Sequence, residues 1–258
     1  MAMKFSSFSW YDLMTPDPAA AEKFYRDVFG WTAKDVSVGD MSYSTFSAGD
    51  LTIGGMMRLT DEAKQKGTPP CWTGYVLVND VDDYVTRIQK AGGKLMQPAA
   101  DVPGVLRFAV VSDPQGAVFI IFKGAQKPMA VEPALDTPGN VGWHELHAGD
   151  GNSAFDFYGK LFGWKKTQAM DMGDMGTYQL FTQDGGVDSG GMMTRMPATP
   201  GPFWMFYFNV DAIDAAAERV TKAGGKVAMG PHQVPTGQWI ANCTDPQGAW
   251  FSILSNNK

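Results

Sequence analysis

The chain reads as an α+β protein: two tandem copies of one domain, each built from two strand-helix-three-strand modules. Three observations predict this. Phe24-Tyr25-Arg26-Asp27-Val28-Phe29-Gly30-Trp31 returns as Phe157-Tyr158-Gly159-Lys160-Leu161-Phe162-Gly163-Trp164. Asp113-Pro114-Gln115-Gly116-Ala117 returns unaltered as Asp245-Pro246-Gln247-Gly248-Ala249. Trp10 is matched by Trp143 and Trp72 by Trp204, in the same order and at near-constant spacing. A repeat this long is a duplicated domain, not a solenoid unit, so each copy is expected to own a core. The expected divisions are a first domain at 1–124, a linker at 125–139 and a second domain at 140–258.

The first module opens with a strand at Phe8 to Met14. Asp17 is an N-cap residue, and Pro18 suits the first helical position, where its missing N–H costs nothing. Ala21, Phe24, Tyr25, Val28 and Phe29 then recur at helical spacing up to Gly30, which suits a helix end. Short strands are expected near 31–38, 41–48 and 51–58, with Gly39-Asp40 and Gly49-Asp50 as hairpin signals. The second module begins at Trp72 to Val78 and continues with a helix over 81–91 that stops at Gly92-Gly93. Strands near 94–97, 105–111 and 117–123 complete it. The second copy repeats the order: a strand at 141–147, a helix at 153–162 and strands to about 194, then a strand at 203–209, a helix at 212–223 and strands ending near 254. The acidic runs Asp80-Val81-Asp82-Asp83 and Asp211-Ala212-Ile213-Asp214 open helices, so they read as caps. The Pro- and Ala-rich stretch from Gly124 to Gly139 is the linker.

Composition narrows the class of function. Hydrophobic residues make up 44% of the 258-residue chain and the net charge is −6, without a basic cluster. A packed protein is expected, with neither nucleic acid nor membrane as a partner. The N-terminal residues lack the apolar run of a signal peptide, and no stretch approaches the roughly 20 apolar residues that span a bilayer. Cys71 and Cys243 do not occupy equivalent repeat positions, which suits reduced thiols in the cytoplasm. No phosphate-binding glycine loop, nucleophile elbow or Cys-x-x-Cys spacing occurs.

The strand-helix-three-strand modules, Phe-Tyr-x5-Gly-Trp, the Gly-Gly after the second helix and the closing Asp-Pro-x-Gly together resemble the vicinal oxygen chelate superfamily. That superfamily includes glyoxalase I, bleomycin-resistance proteins and extradiol dioxygenases. More closely, the arrangement is similar to two-domain, glyoxalase-like bacterial proteins. The resemblance covers residues 8–123 and 141–254, and it implies curved mixed sheets around cup-shaped cavities that hold the sites. It also implies a divalent metal held by His, Gln or Glu from the first and last strands of the modules. Carried over, the first-strand positions are Trp10 and Trp143, and the last-strand positions are Ile120 and Ser252. The middle positions fall near Thr73 and Met205 and near Gly54-Gly55 and Gly190-Gly191. Indole has no lone pair to offer a metal, so no metal and no cofactor are expected. A replacement site from Glu145, His147 and His232 is conceivable, but the first copy offers Asp12 and Met14 where the second has Glu145 and His147.

Strand alternation puts Trp10, Asp12 and Met14 on one face of the first strand, and Trp143, Glu145 and His147 on the matching face of its repeat. An aromatic ring two residues from a carboxylate thus occurs twice. Such a carboxylate could anchor a ligand amine or hydroxyl, act as a general base, or simply receive hydrogen bonds from neighbouring strands. Glu145 and Asp12 are the candidate bases. Trp10, Met14, Met56, Thr73, Trp143, His147, Met192, Met205 and Ser252 are the candidate ligand contacts, with methionine as an adaptable apolar wall or plain core filler. Trp31, Trp72, Trp164 and Trp204 are expected in the core. Trp239 and Trp250 replace Arg107 and Val118 of the first copy, so differences between the cups should show there. The expected function is binding of a small apolar or aromatic metabolite by a monomer or homodimer. The alternative is a lyase, isomerase or oxygenase-type enzyme on a small carbonyl or hydroxylated substrate, using a carboxylate base or an unusual metal. A third reading leaves the cups vestigial and the protein working through partners.

Overall fold

The computed structural model describes residues 5–37, 42–125, 134–197 and 199–258. The first copy runs β1 (Phe8–Thr15), α1 (Pro18–Phe29), β2 (Thr32–Asp35), β3 (Tyr43–Ala48), β4 (Leu51–Arg58), α2 (Asp61–Gln65), β5 (Cys71–Leu77), α3 (Val81–Lys90), β6 (Lys94–Val102), β7 (Leu106–Ser112) and β8 (Val118–Gly124). The second runs β9 (Val141–Ala148), α4 (Gly151–Phe162), β10 (Lys165–Asp171), a 3-10 turn (Gly173–Met175), β11 (Thr177–Thr182), β12 (Gly190–Thr194), β13 (Phe203–Asn209), α5 (Ile213–Lys222), β14 (Lys226–Gln233), β15 (Trp239–Thr244) and β16 (Trp250–Ser255). The α+β class and the four modules are as expected. The expected Gly39-Asp40 turn and most of the linker, residues 126–133, lie outside the described residues.

Each copy contributes an 8-stranded sheet, in the orders β2-β3-β4-β1-β5-β8-β7-β6 and β10-β11-β12-β9-β13-β16-β15-β14. Within a module the first strand pairs in parallel with the last, and hairpins join the others. The helix in between makes this parallel return possible, because a parallel pair needs a long crossover.

Local sequence accounts for most helix ends. Asp17, Asp80 and Asp150 accept N–H bonds from Ala20, Asp83 and Ser153, and Gly30 and Gly163 close α1 and α4 at φ 73° and 75°. Asp211 departs from the expected cap: Ala212 is the N-cap of α5 and makes no side-chain cap bond, and Asp211 instead accepts from Arg219 at 2.9 Å. α2 is an added turn of helix capped by Thr60. It buries no residue, so no apolar period announced it. β6 runs past the expected end at 97 and through Pro98. Proline is tolerated because β6 is an edge strand, and the pairing register shifts between Gln97 and Ala100.

The described chain forms two compact units, and each takes segments from both copies. One comprises Met1–Ser9, Gly74–Glu132 and Trp143–Trp204; the other comprises Trp10–Thr73, Pro133–Gly142 and Met205–Lys258. In the second of these, Tyr25, Phe29, Trp31, Trp72, Phe208 and Phe251 pack ring against ring behind α1. In the first, Phe8, Tyr158, Trp164, Phe181 and Trp204 form the counterpart. The four core tryptophans expected from the sequence are at most 5% exposed. Trp72 and Trp204 also donate to the hydroxyls of Tyr25 and Tyr158, at 2.9 and 3.0 Å.

Candidate functional site

Two carboxylates sit under half-buried aromatic side chains, one in each copy. Asp12 is 3% exposed and Glu145 8%. In the first copy Trp10 Nε1 donates to Asp12 Oδ1 and to Tyr43 Oη, both at 2.9 Å, and Tyr43 Oη donates to Asp12 Oδ1 at 2.6 Å. In the second, Trp143 Nε1 donates to Tyr178 Oη at 2.8 Å, and Tyr178 Oη donates to Glu145 Oε2 at 2.7 Å. The alternation expected along the first strands is observed: Leu13, Leu146 and His144 turn to the opposite, buried side. Burial, with the Asp12 carboxylate beside it, pushes the Tyr43 pKa far up, so the phenol stays neutral and keeps its proton to donate.

Tyr43 and Tyr178 were not read from the sequence. Tyr178 lies further from Trp164 than Tyr43 does from Trp31, so a constant-offset comparison passes over the pair. The usable signal was the glycine pair. Asp12 is level with Gly55, and Glu145 with Gly191. A Cβ at Gly55 would run into Tyr43 Oη, and one at Gly191 into the Tyr178 ring. The preceding glycines, Gly54 and Gly190, leave no room for a Cβ against the backbone carbonyls of Tyr11 and His144. Each Gly-Gly pair therefore holds β4 or β12 close to the first strand and clears a path for tyrosine to reach the carboxylate.

Beyond this shared core the copies diverge. Glutamate is one methylene longer than aspartate, and Glu145 Oε1 extends to 2.7 Å from His147 Nε2. The oxygen approaches well off the N–H axis, so Nε2 makes no directed hydrogen bond. We read the contact as electrostatic, with the Nε2–H tautomer facing the carboxylate, because two lone pairs at this distance would repel. The His147 ring stacks on Phe203, with centroids 4.7 Å apart and planes 3° from parallel. In the first copy Met14 stands where His147 does.

The remaining candidates scatter. Met56 and Met192 are level with Leu13 and Leu146 rather than with Asp12 and Glu145, and at 2% and 0% exposed they pack in the core. Their neighbours Met57 and Met193 are level with Met14 and His147 and half-buried. Thr73 and Met205 are buried, as is Ser252, whose hydroxyl donates to Asn242 Oδ1 at 2.9 Å. Trp239 is half-buried beneath the Lys258 ammonium, whereas Trp250 is 48% exposed.

The donor chemistry at the positions where the resemblance implies a metal does not fit one. Trp10 and Trp143 offer N–H donors already committed to oxygen, Ile120 offers nothing and Ser252 donates to Asn242. Among the described residues, no three His, Cys, Asp or Glu side chains converge on a point that could hold an ion. Among the same residues, no helix is long and apolar enough to cross a membrane.

A model of the Glyoxalase/Bleomycin resistance protein/Dioxygenase superfamily matches residues 7–121 and 140–253. The chain is 32% identical over 248 residues to the Mycobacterium tuberculosis protein named "Putative glyoxylase CFP32", covering 95% of this chain and 93% of that one. It is 34% identical over 261 residues to "Anthracycline biosynthesis protein DauV" of a Streptomyces species, covering 95% and 92%. Among solved structures, the Mn(II)-bound glyoxalase from Novosphingobium aromaticivorans superposes with a TM-score of 0.68 at 16% identity, covering 98% of this chain and 83% of that one.

Proposed function

The chain belongs to the Glyoxalase/Bleomycin resistance protein/Dioxygenase superfamily, and from that premise we propose that it binds a small, flat, largely aromatic molecule at two related sites. The observation that carries the reading is the repeated Trp-Tyr-carboxylate constellation, Trp10-Tyr43-Asp12 and Trp143-Tyr178-Glu145. Half-buried indole and phenol rings offer apolar faces to a planar ligand. The carboxylate beneath gives them polar anchoring and a negative potential suited to a ligand hydroxyl or amine. The relative named "Anthracycline biosynthesis protein DauV" supports the same ligand class. In this reading each copy, 1–124 and 140–258, carries one site.

Thermal unfolding with a panel of hydroxylated aromatic compounds tests it. A true ligand at a hundredfold excess over its Kd should add about 2.7 kcal/mol of stability. The double variant Gly55→Ala/Gly191→Ala, whose new methyls displace both tyrosines, should lose that stabilisation while keeping its circular dichroism. Full stabilisation of the folded double variant would place the binding site elsewhere.

The second reading, an enzyme acting on a hydroxylated or carbonyl substrate, draws on the contact between His147 and Glu145, which the first copy lacks.

A further inference from the structure

We propose that the second site takes a proton from its ligand, that His147 and not Glu145 is the acceptor, and that the ligand class is an acidic phenol. The proposal rests on the aromatic-ligand reading above and deepens it for one copy only. Glu145 is poorly suited to act as the base. Its Oε2 already accepts the Tyr178 proton at 2.7 Å, Tyr178 in turn accepts from Trp143, and its Oε1 faces His147 Nε2 at 2.7 Å. Both carboxylate oxygens thus already face a neighbouring polar group, and neither is turned toward a ligand proton. Imidazole has two nitrogens, and with the proton on Nε2, the nitrogen 2.7 Å from the carboxylate oxygen, the lone pair is left on Nδ1. Nδ1 has no hydrogen-bond partner among the described residues and is not among the buried orphan atoms. The side chain keeps 16% of its surface exposed. Stacking on Phe203 holds the ring plane, so the lone pair has a set direction.

The step is a single proton transfer. The phenol O–H bond breaks with its electron pair left on oxygen, and an N–H bond forms at Nδ1. The resulting imidazolium lies against the Glu145 carboxylate, which offsets its charge, while the phenolate stays beside the aromatic side chains. Glu145, Tyr178 and Trp143 are positioning residues in this account: they set the imidazole and do not touch the proton. The first copy has the same Trp-Tyr-carboxylate support but ends at Met14, which accepts no proton. Duplication has thus yielded one site that can only bind and one that can also ionise.

The test uses the full chain with para-nitrophenol, whose ionised form alone absorbs in the visible, and para-nitroanisole, which has no proton to give. Binding is read by tryptophan fluorescence, and ionisation by the visible band, at a pH where the free phenol is protonated. Wild type should bind both probes and turn the phenol into bound phenolate. His147→Gln should bind it without the band, with His147→Asn as the substitute if the first variant does not fold. Glu145→Gln, compared at equal amounts of bound probe, should lower the ratio of bound phenolate to phenol about tenfold or more, as expected for losing an interaction with a charged group. A full band in either folded His147 variant, or a wild-type complex holding only neutral phenol, would overturn the proposal and leave the aromatic-ligand reading standing. Failure of both probes to bind would remove both.

Discussion

His144 lies on the face of β9 opposite Glu145, stacked on Phe8 with ring centroids 4.9 Å apart and Nδ1 2.7 Å from the Ser189 carbonyl. Burial pulls its pKa from 6.5 down to about 4, although the hydrogen bond opposes this. The folded state keeps it neutral, whereas the unfolded chain binds a proton between those values. Its contribution is therefore complete above the unfolded value and is lost as the pH falls toward 4, about 3 kcal/mol in all. Asp113 and Asp245 act with the opposite sign: burial raises both, so their protonation favours the folded state as the pH falls. Only a comparison isolates the histidine. Between pH 7 and 4.5 His144→Phe should lose less stability than wild type in urea unfolding; parallel losses would mean that the imidazole is not held neutral. At the same scale, alternation correctly paired Trp10 with Asp12 and Trp143 with Glu145 in the sequence. It said nothing of Tyr43 and Tyr178, because their reach depends on a Cβ that Gly55 and Gly191 lack.

The repeated Asp-Pro-Gln-Gly turn joins elements as well as ending them. Asp113 Oδ1 accepts the N–H groups of Gln115, Gly116 and Ala117 at 2.9, 2.7 and 2.9 Å, and Oδ2 accepts the Tyr158 hydroxyl of α4 at 3.1 Å. Asp245 receives Tyr25 of α1 in the same way at 3.2 Å. Each tyrosine also accepts a tryptophan N–H, so one hydroxyl ties a helix, a turn and a strand together. Tyr158→Phe should cost about 1–2 kcal/mol, for it removes the donor to Asp113 and the acceptor for Trp204. Asp113→Ala should cost about 3 kcal/mol or more, because the turn N–H groups lose their acceptor too. Equilibrium unfolding of the singles and the double variant measures this; strict additivity would show that the pair is not coupled. Asp-Pro-x-Gly is legible as a turn from local chemistry alone. That its carboxylate reaches a tyrosine of the other copy is not, because the partners are far apart in sequence.

Across the whole molecule, the cross-copy bonds lead to the prediction that neither copy folds alone. Tyr25 to Asp245 and Arg219 to the Val28 carbonyl join the copies inside one compact unit. Tyr158 to Asp113 and Arg87 to the Leu161 carbonyl do so inside the other. Fragments 1–124 and 140–258, produced separately and mixed, should assemble into a one-to-one complex by light scattering with the circular dichroism of the intact chain. Either fragment alone should self-associate or unfold, since its buried tyrosine and aspartate would lack partners. Two stable monomeric fragments that ignore one another would refute this. Periodicity, caps, turns and the duplication are properties of neighbouring residues, so the sequence alone determined the α+β class, the module order and the twofold aromatic-acidic motif. Strand register, a glycine's missing side chain and packing between distant segments are not local. Only the tertiary structure could therefore bring tyrosine to each carboxylate, set His147 against Glu145 in one copy alone, and distribute both copies over each compact unit.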